Sequence, residues 1–195
     1  MQHDLTLAEG DIRLVPLRVE HAPALLAYVD DAAWSGWTVP TPRTVEDMVA
    51  VVSAAHATPE RYAFAVLGPG AEVRGTTSFY DVERRVGRCE VGWTFYGRPF
   101  WGGHTNPAAK LALLRHAFET WGMHRVALRA DARNTRSIGA ITRLGAVPEG
   151  VLRGHRIAAD GSRGDTAYFS ILAPEWPAVR AGLEARLTGA GVRAR

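Results

Sequence analysis

The residues Trp101-Gly102-Gly103-His104-Thr105-Asn106-Pro107 run straight into an apolar repeat, Leu111, Leu114, Phe118 and Trp121, spaced as one face of a helix. Asn106 reads as its N-cap, Pro107 as a first helical residue whose missing N–H costs nothing, and Gly122 as its stop. Residues 125–131 follow, with Val126, Leu128 and Ala130 alternating as a strand, and then Asn134-Thr135-Arg136-Ser137 opens a second helix carrying Ile138, Ile141 and Leu144 up to Gly145. A helix between two strands of one sheet acts as a crossover, so residues 88–96 and 125–131 are expected to be parallel neighbours. Both turns also leave first-turn N–H groups without intrahelical partners, an arrangement that suits an anion such as a pyrophosphate. The pattern points to a nucleotide-bearing cofactor.

The remaining segments fit around this unit. Strands are expected at 11–17, 62–67, 73–82, 88–96, 147–157 and 166–172, the last two joined at the hairpin signal Asp160-Gly161. Helices are expected at 19–30, 44–56 and 175–187, the last burying Trp176, Val179, Leu183 and Leu187, with a Trp-rich irregular loop over 34–43. With 195 residues and 47% hydrophobic content, the chain has material for one core. A single domain is expected over 1–187, with 188–195 as a flexible basic tail.

Composition excludes several classes. No apolar run approaches the roughly 20 residues that cross a bilayer, and His3, Asp4 and Glu9 break any leader layout, so a cytoplasmic location without membrane contact is expected. Cys89 is the only cysteine, and none of the seven histidines pair at helical i, i+4 spacing, so neither a disulfide nor a metal centre is expected. The net charge of +3 is scattered and lacks an aromatic-basic motif, which argues against a nucleic-acid partner but suits a phosphate-rich cofactor.

The order of elements, together with Asn134-x-x-Ser137, Leu144-Gly145, Glu149-Gly150-Val151-Leu152-Arg153, Asp160-Gly161, Asp165, Tyr168 and Glu175-Trp176, resembles the GNAT superfamily of acyl-CoA-dependent N-acyltransferases. Within it the chain is most similar to the RimJ/RimL-type branch, which includes ribosomal-protein N-terminal acetyltransferases. The resemblance implies an α/β layered fold: a mixed, mostly antiparallel seven-stranded sheet with a splayed central parallel pair and helices on both faces. It implies acetyl-CoA as cosubstrate, with pantetheine lying along residues 90–96 as an added strand would. The pyrophosphate would sit on the turn Gly102, Gly103, His104, Thr105, Asn106. There the chain departs from the family pattern Gln/Arg-x-x-Gly-x-Gly/Ala: His104 replaces the central glycine, and Pro107 removes one donor. Lys110 is read either as a phosphate-facing cation or as an exposed helix lysine.

Attack of an amine on a thioester needs a base, an oxyanion site and a proton for the thiolate. By resemblance Glu90 is the favoured base, the competing reading being a partner for Arg88 or Arg85. The oxyanion site is a backbone N–H at Trp93 or Thr94. The tyrosine that many members use as acid is replaced by Ile141. Ser137 is then the candidate acid, while Asn134 holds pantetheine; both also fit a plain N-cap and first turn. Trp34, Trp37, Tyr80 and Tyr96 are candidates for the acceptor wall. Cys89 reads as a buried structural thiol, the alternative being an acyl-accepting nucleophile. The expected acceptor is a protein N-terminal α-amine. A small-molecule amine (antibiotic or polyamine) and a non-catalytic acyl-CoA-binding module are the alternatives, and the open edge of the C-terminal hairpin suggests a homodimer.

Overall fold

Alternation along the central strands determines what each face must bury. In residues Tyr62–Leu67, Phe64 and Val66 join one apolar cluster while Ala63, Ala65 and Leu67 join another, so helices have to cover both sides. The computed structural model, which describes residues 2–34, 36–158 and 161–193 (190–193 by backbone alone), shows this arrangement. The strands are β1 (Leu7–Glu9), β2 (Ile12–Pro16), β3 (Tyr62–Leu67), β4 (Val73–Glu83), β5 (Arg88–Tyr96), β6 (Arg125–Asp131), β7 (Val147–Ile157) and β8 (Arg163–Leu172). They form one sheet in the order β1-β2-β3-β4-β5-β6-β8-β7, antiparallel throughout except for β5 and β6.

One face is covered by α4 (Thr105–Arg115), α5 (Thr135–Arg143) and α6 (Trp176–Arg193), which bury Leu111, Leu114, Ile141, Trp176, Val179 and Leu183. The other is covered by α1 (Ala22–Leu26), α2 (Asp31–Trp34) and α3 (Val45–Ala57) through Leu25, Trp34, Met48 and Val52. The mixed sheet, its single parallel pair and the two helical layers are those the resemblance implied.

Local differences have physical causes. The sheet has eight strands, not seven, because Gly10, at φ +57°, turns Leu7–Glu9 back onto β2. The helix expected over 19–30 is broken: Pro23 is tolerated at the start of α1 but would disrupt a helix already running from Val19. Helix α4 starts one residue before Asn106, with His104 at the cap, and its end relaxes into a π turn at His116–Thr120. Helix α6 runs past Leu187 to Arg193. Of the expected hairpin turn, Asp160 lies outside the described residues; Gly161 has φ +81°.

Candidate active site

The parallel ladder between β5 and β6 consists of Arg88–Arg125, Cys89–Val126 and Glu90–Ala127 and then stops. Beyond it β5 stays with β4 as far as Tyr96, and β6 stays with β8 as far as Asp131. The two strands therefore part, leaving backbone edges that face a cleft of about 710 Å³. An extended ligand carrying amides can pair with such edges as an added strand.

At the mouth of the gap β5 is bulged. Thr76 pairs with Phe95 and Ser78 with Gly92, so Thr77 faces both Trp93 and Thr94. Trp93 takes φ +50°, a strained conformation for a bulky residue, and the extra residue leaves the ladder. Side chains hold this shape: Trp93 packs 5.3 Å from Trp37, and Thr77 and Thr94 share a hydroxyl hydrogen bond of 2.8 Å.

Lys110 contradicts the exposed-helix reading. It is 5% exposed, lines the cleft, and donates from Nζ to Thr94 Oγ1 at 2.9 Å and to Thr77 Oγ1 at 3.4 Å. Burial lowers its pKa from 10.5 to about 7.

The turn before α4 lines the cleft with Gly102, Gly103, His104 and Asn106, and Gly102 takes φ +73°. The bulk of His104 is accommodated because its ring reaches Asp11, Nε2 to Oδ1 at 3.0 Å. Thr105 is buried and accepts a hydrogen bond from Arg74 Nη1 at 3.0 Å; it is not part of the cleft wall. Arg136 stacks 3.7 Å over Trp101, whose indole N–H donates to the Tyr96 carbonyl at 2.7 Å. Asn134 caps α5 by accepting from Ser137 N at 3.0 Å, and both residues line the cleft. Ile141 lines it at the position where the family's tyrosine would stand.

The residues present fit a phosphorylated thioester carrier. Parted strand edges, a glycine turn at a helix start and a cationic Arg136 lie along one wall, and the buried Tyr96 hydroxyl there has no hydrogen-bond partner.

Glu90 is less accessible than expected. It is buried and absent from the cleft wall, and its partner is neither Arg88, which pairs with Asp81, nor Arg85. Instead Oε2 lies 3.3 Å from Arg129 Nε, an ion pair outside hydrogen-bond alignment. Arg129 Nε also donates to Tyr80 Oη at 3.1 Å, and Nη1 to Tyr168 Oη at 2.8 Å. Burial, aided by the Glu90 charge, raises the Tyr80 phenol far above its ordinary range, so it remains a proton donor at neutral pH. Trp37, Tyr80 and Tyr96 line the cleft; Trp34 does not, being a core residue stacked 4.1 Å from Trp37. Cys89 is buried and its thiol pushed up to about 12, chiefly by desolvation, which leaves it unreactive.

Sequence reasoning missed Arg129, Asp131, His155 and Arg156, and gave Tyr168 no role beyond the resemblance. The signal was available in part: with Val126, Leu128 and Ala130 turned toward α4, alternation sends Arg129 and Asp131 to the opposite face. His155, whose Nδ1 is 3.1 Å from Thr166 Oγ1, comes from β7 and was not locatable without the hairpin register. Among the described residues no group of three or more His, Cys, Asp or Glu could hold a metal ion, and no helix is long and apolar enough to cross a membrane.

Comparison with known proteins agrees with this geometry. Residues 11–147 match the Acetyltransferase (GNAT) domain family, and the chain belongs to it. It is 27% identical over 176 residues to the uncharacterized N-acetyltransferase p20 of Bacillus licheniformis, covering 88% of this chain and 98% of that one. It is 29% identical over 102 residues to a Bacillus subtilis (strain 168) protein named "Putative ribosomal N-acetyltransferase YdaF", covering 52% and 55% respectively. A crystal structure of a "putative acetyltransferase" from T. thermophilus superposes with a TM-score of 0.88 at 40% identity, over 96% of this chain and all (100%) of that one. The protein is thus an acetyl-CoA-dependent acetyltransferase.

Proposed function

We propose that the chain transfers acetyl from acetyl-CoA directly to the α-amine of a protein or peptide N-terminus. The observation that carries this choice is the charge balance on the acceptor face. Its two buried carboxylates are already neutralised: Glu90 by Arg129, and Asp131 by Arg133 at 2.9 Å and Arg156 at 3.6 Å. A polyamine needs unpaired negative charge to offset its own, and among the described residues the buried carboxylates of this face have none to spare. An α-amine, titrating near 8 against about 10.4 for lysine, brings a single charge where a polyamine brings several, and is the more easily deprotonated. The relationship to a protein named as a ribosomal N-acetyltransferase supports the same acceptor class.

In this reading bound acetyl-CoA supplies the activated acetyl group, and the chain supplies orientation and proton handling. Gly102, Gly103, His104 and Asn106 of the turn, with Asn134, would hold the phosphate and pantetheine portions. The backbone of Trp93 and Thr94 would meet the carbonyl oxygen, and Ser137, which lines the cleft, would supply a proton to sulfur. Glu90 receives the amine proton through the hydroxyl of Tyr80, to which it is hydrogen-bonded, while Arg129 stays protonated and holds the two groups together. Thiol release from acetyl-CoA with a panel of acceptors tests the assignment. Turnover with peptides bearing free N-termini, and little with N-blocked lysine peptides, spermidine or aminoglycosides, is expected; a preference for a polyamine or an antibiotic overturns it.

A further inference from the structure

The β5 bulge is gripped from both faces of the sheet by cations that lack a carboxylate partner. On the α4 side Lys110, 5% exposed, bonds the Thr94 and Thr77 hydroxyls. On the α3 side Arg61, also 5% exposed, donates from Nε to Ser78 Oγ at 3.2 Å and lies 4.4 Å from the centre of the Trp93 ring. Thr77 is the residue opposite the bulge and Ser78 is paired with Gly92 just before it, so both cations hold the bulge and its cross-strand neighbours. Among the described residues no carboxylate lies within 4.0 Å of either charged group. The part-buried arginines of the cleft, Arg129 and Arg156, each have one.

Burying a cation without a counter-ion is costly. Two such groups on opposite sides of one strained backbone segment, Arg61 always charged and Lys110 charged while it holds its proton, make a region of positive potential in a low-dielectric wall, where charge acts strongly. Acyl transfer creates negative charge next to such a wall. The amine nitrogen bonds to the carbonyl carbon and gives up a proton to the base, the C=O electron pair moves onto oxygen, and its return expels sulfur, which leaves with the C–S pair and takes a proton. No bond to Lys110 or Arg61 forms or breaks in this sequence.

We propose that Lys110 and Arg61 are a positioning pair for acyl transfer: they fix the bulged backbone of Trp93 and Thr94 and supply the positive potential that stabilises the oxyanion formed beside it. The proposal rests on the acetyl-transfer reading above, and it assigns Lys110 to the acyl end of the cleft instead of to the cofactor phosphates. Thr94 is the link through which Lys110 acts, and Trp93 the link for Arg61.

The test compares Lys110→Met, Arg61→Met, Thr94→Val and the Lys110→Met/Thr94→Val double variant. Each cation-removing variant is expected to lose at least about tenfold in kcat, since loss of a direct oxyanion donor costs roughly 100-fold or more. KM for acetyl-CoA, calorimetric affinity for CoA and Tm are expected to hold or, for Tm, to rise. The double variant is expected to be no slower than the slower of its parents, because both changes cut the same link. Unchanged kcat overturns the proposal. So does a loss of CoA affinity equal to the loss in kcat, which would make Lys110 a phosphate ligand, or a fall in Tm that accounts for the lost activity. Absence of CoA binding by the unsubstituted chain would overturn the transferase reading itself, a result these variants cannot mimic.

Discussion

Replacing Lys110 by methionine should stabilise the fold, and by an amount that depends on pH. Burial brings this amine from its ordinary 10.5 down to about 7. Between those values the unfolded chain holds a proton that the folded chain has released, so the stability of the unsubstituted protein rises with pH across that window. The penalty of the buried charge is therefore complete below about pH 7 and disappears toward 10.5. At about 1.4 kcal/mol per pKa unit the span sets a ceiling near 5 kcal/mol. The two threonine partners and local relaxation bring the expected gain to about 1–3 kcal/mol. Methionine fills the same channel with an unbranched chain, and Thr77 and Thr94 keep their mutual hydrogen bond. Urea unfolding of both proteins near neutral pH and two to three units above it measures the difference. The variant should be more stable at the lower pH with an unchanged m-value, and the gap should narrow at the higher. A variant less stable than its parent, or a gap that ignores pH, refutes the reasoning.

Three further outcomes are expected. Glu90→Gln should lower turnover while CoA affinity, measured by calorimetry, stays intact; an unchanged pH–rate profile would remove Glu90 as the base. Asn134→Ala should cost about 1 kcal/mol through the lost cap of α5 and weaken CoA binding, so chemical denaturation and calorimetry should both register it, and normal affinity would exclude Asn134 from the cofactor site. Strand β7 is the outermost of the sheet and exposes Val147, Val151, Leu152 and Ile157; if a second copy covers this edge, Val151→Lys should convert a dimer to a monomer in sedimentation, and an already monomeric parent contradicts the pairing.

Periodic segments were legible. The α4–β6–α5 unit follows from the 3.6-residue stripe at Leu111, Leu114 and Phe118 and the alternation of Val126, Leu128 and Ala130, and Asn134 is the cap its side chain suggested. Three residues, Leu7 to Glu9, are too few to show alternation, so β1 was not. The bulge left no trace because Trp93 is a strand-forming aromatic that adopts a positive φ only under tertiary constraint. Lys110 stands four residues before Leu114 and seven before Ala117, on the buried side of α4, a sign that its charge points inward; its threonine partners, on two other strands, are not recoverable from spacing. Glu90 alternates correctly with Cys89 and Val91, but its cover by Arg129 depends on a strand pairing that sequence alone does not specify.

The central claim is that the parted edges of β5 and β6, with the turn before α4, hold acetyl-CoA with its thioester at the bulge. Isothermal calorimetry of the unsubstituted chain with CoA and acetyl-CoA tests it directly. One ligand per chain, with affinity reduced in Asn134→Ala, is the predicted result; no heat of binding for either form of the coenzyme would contradict it.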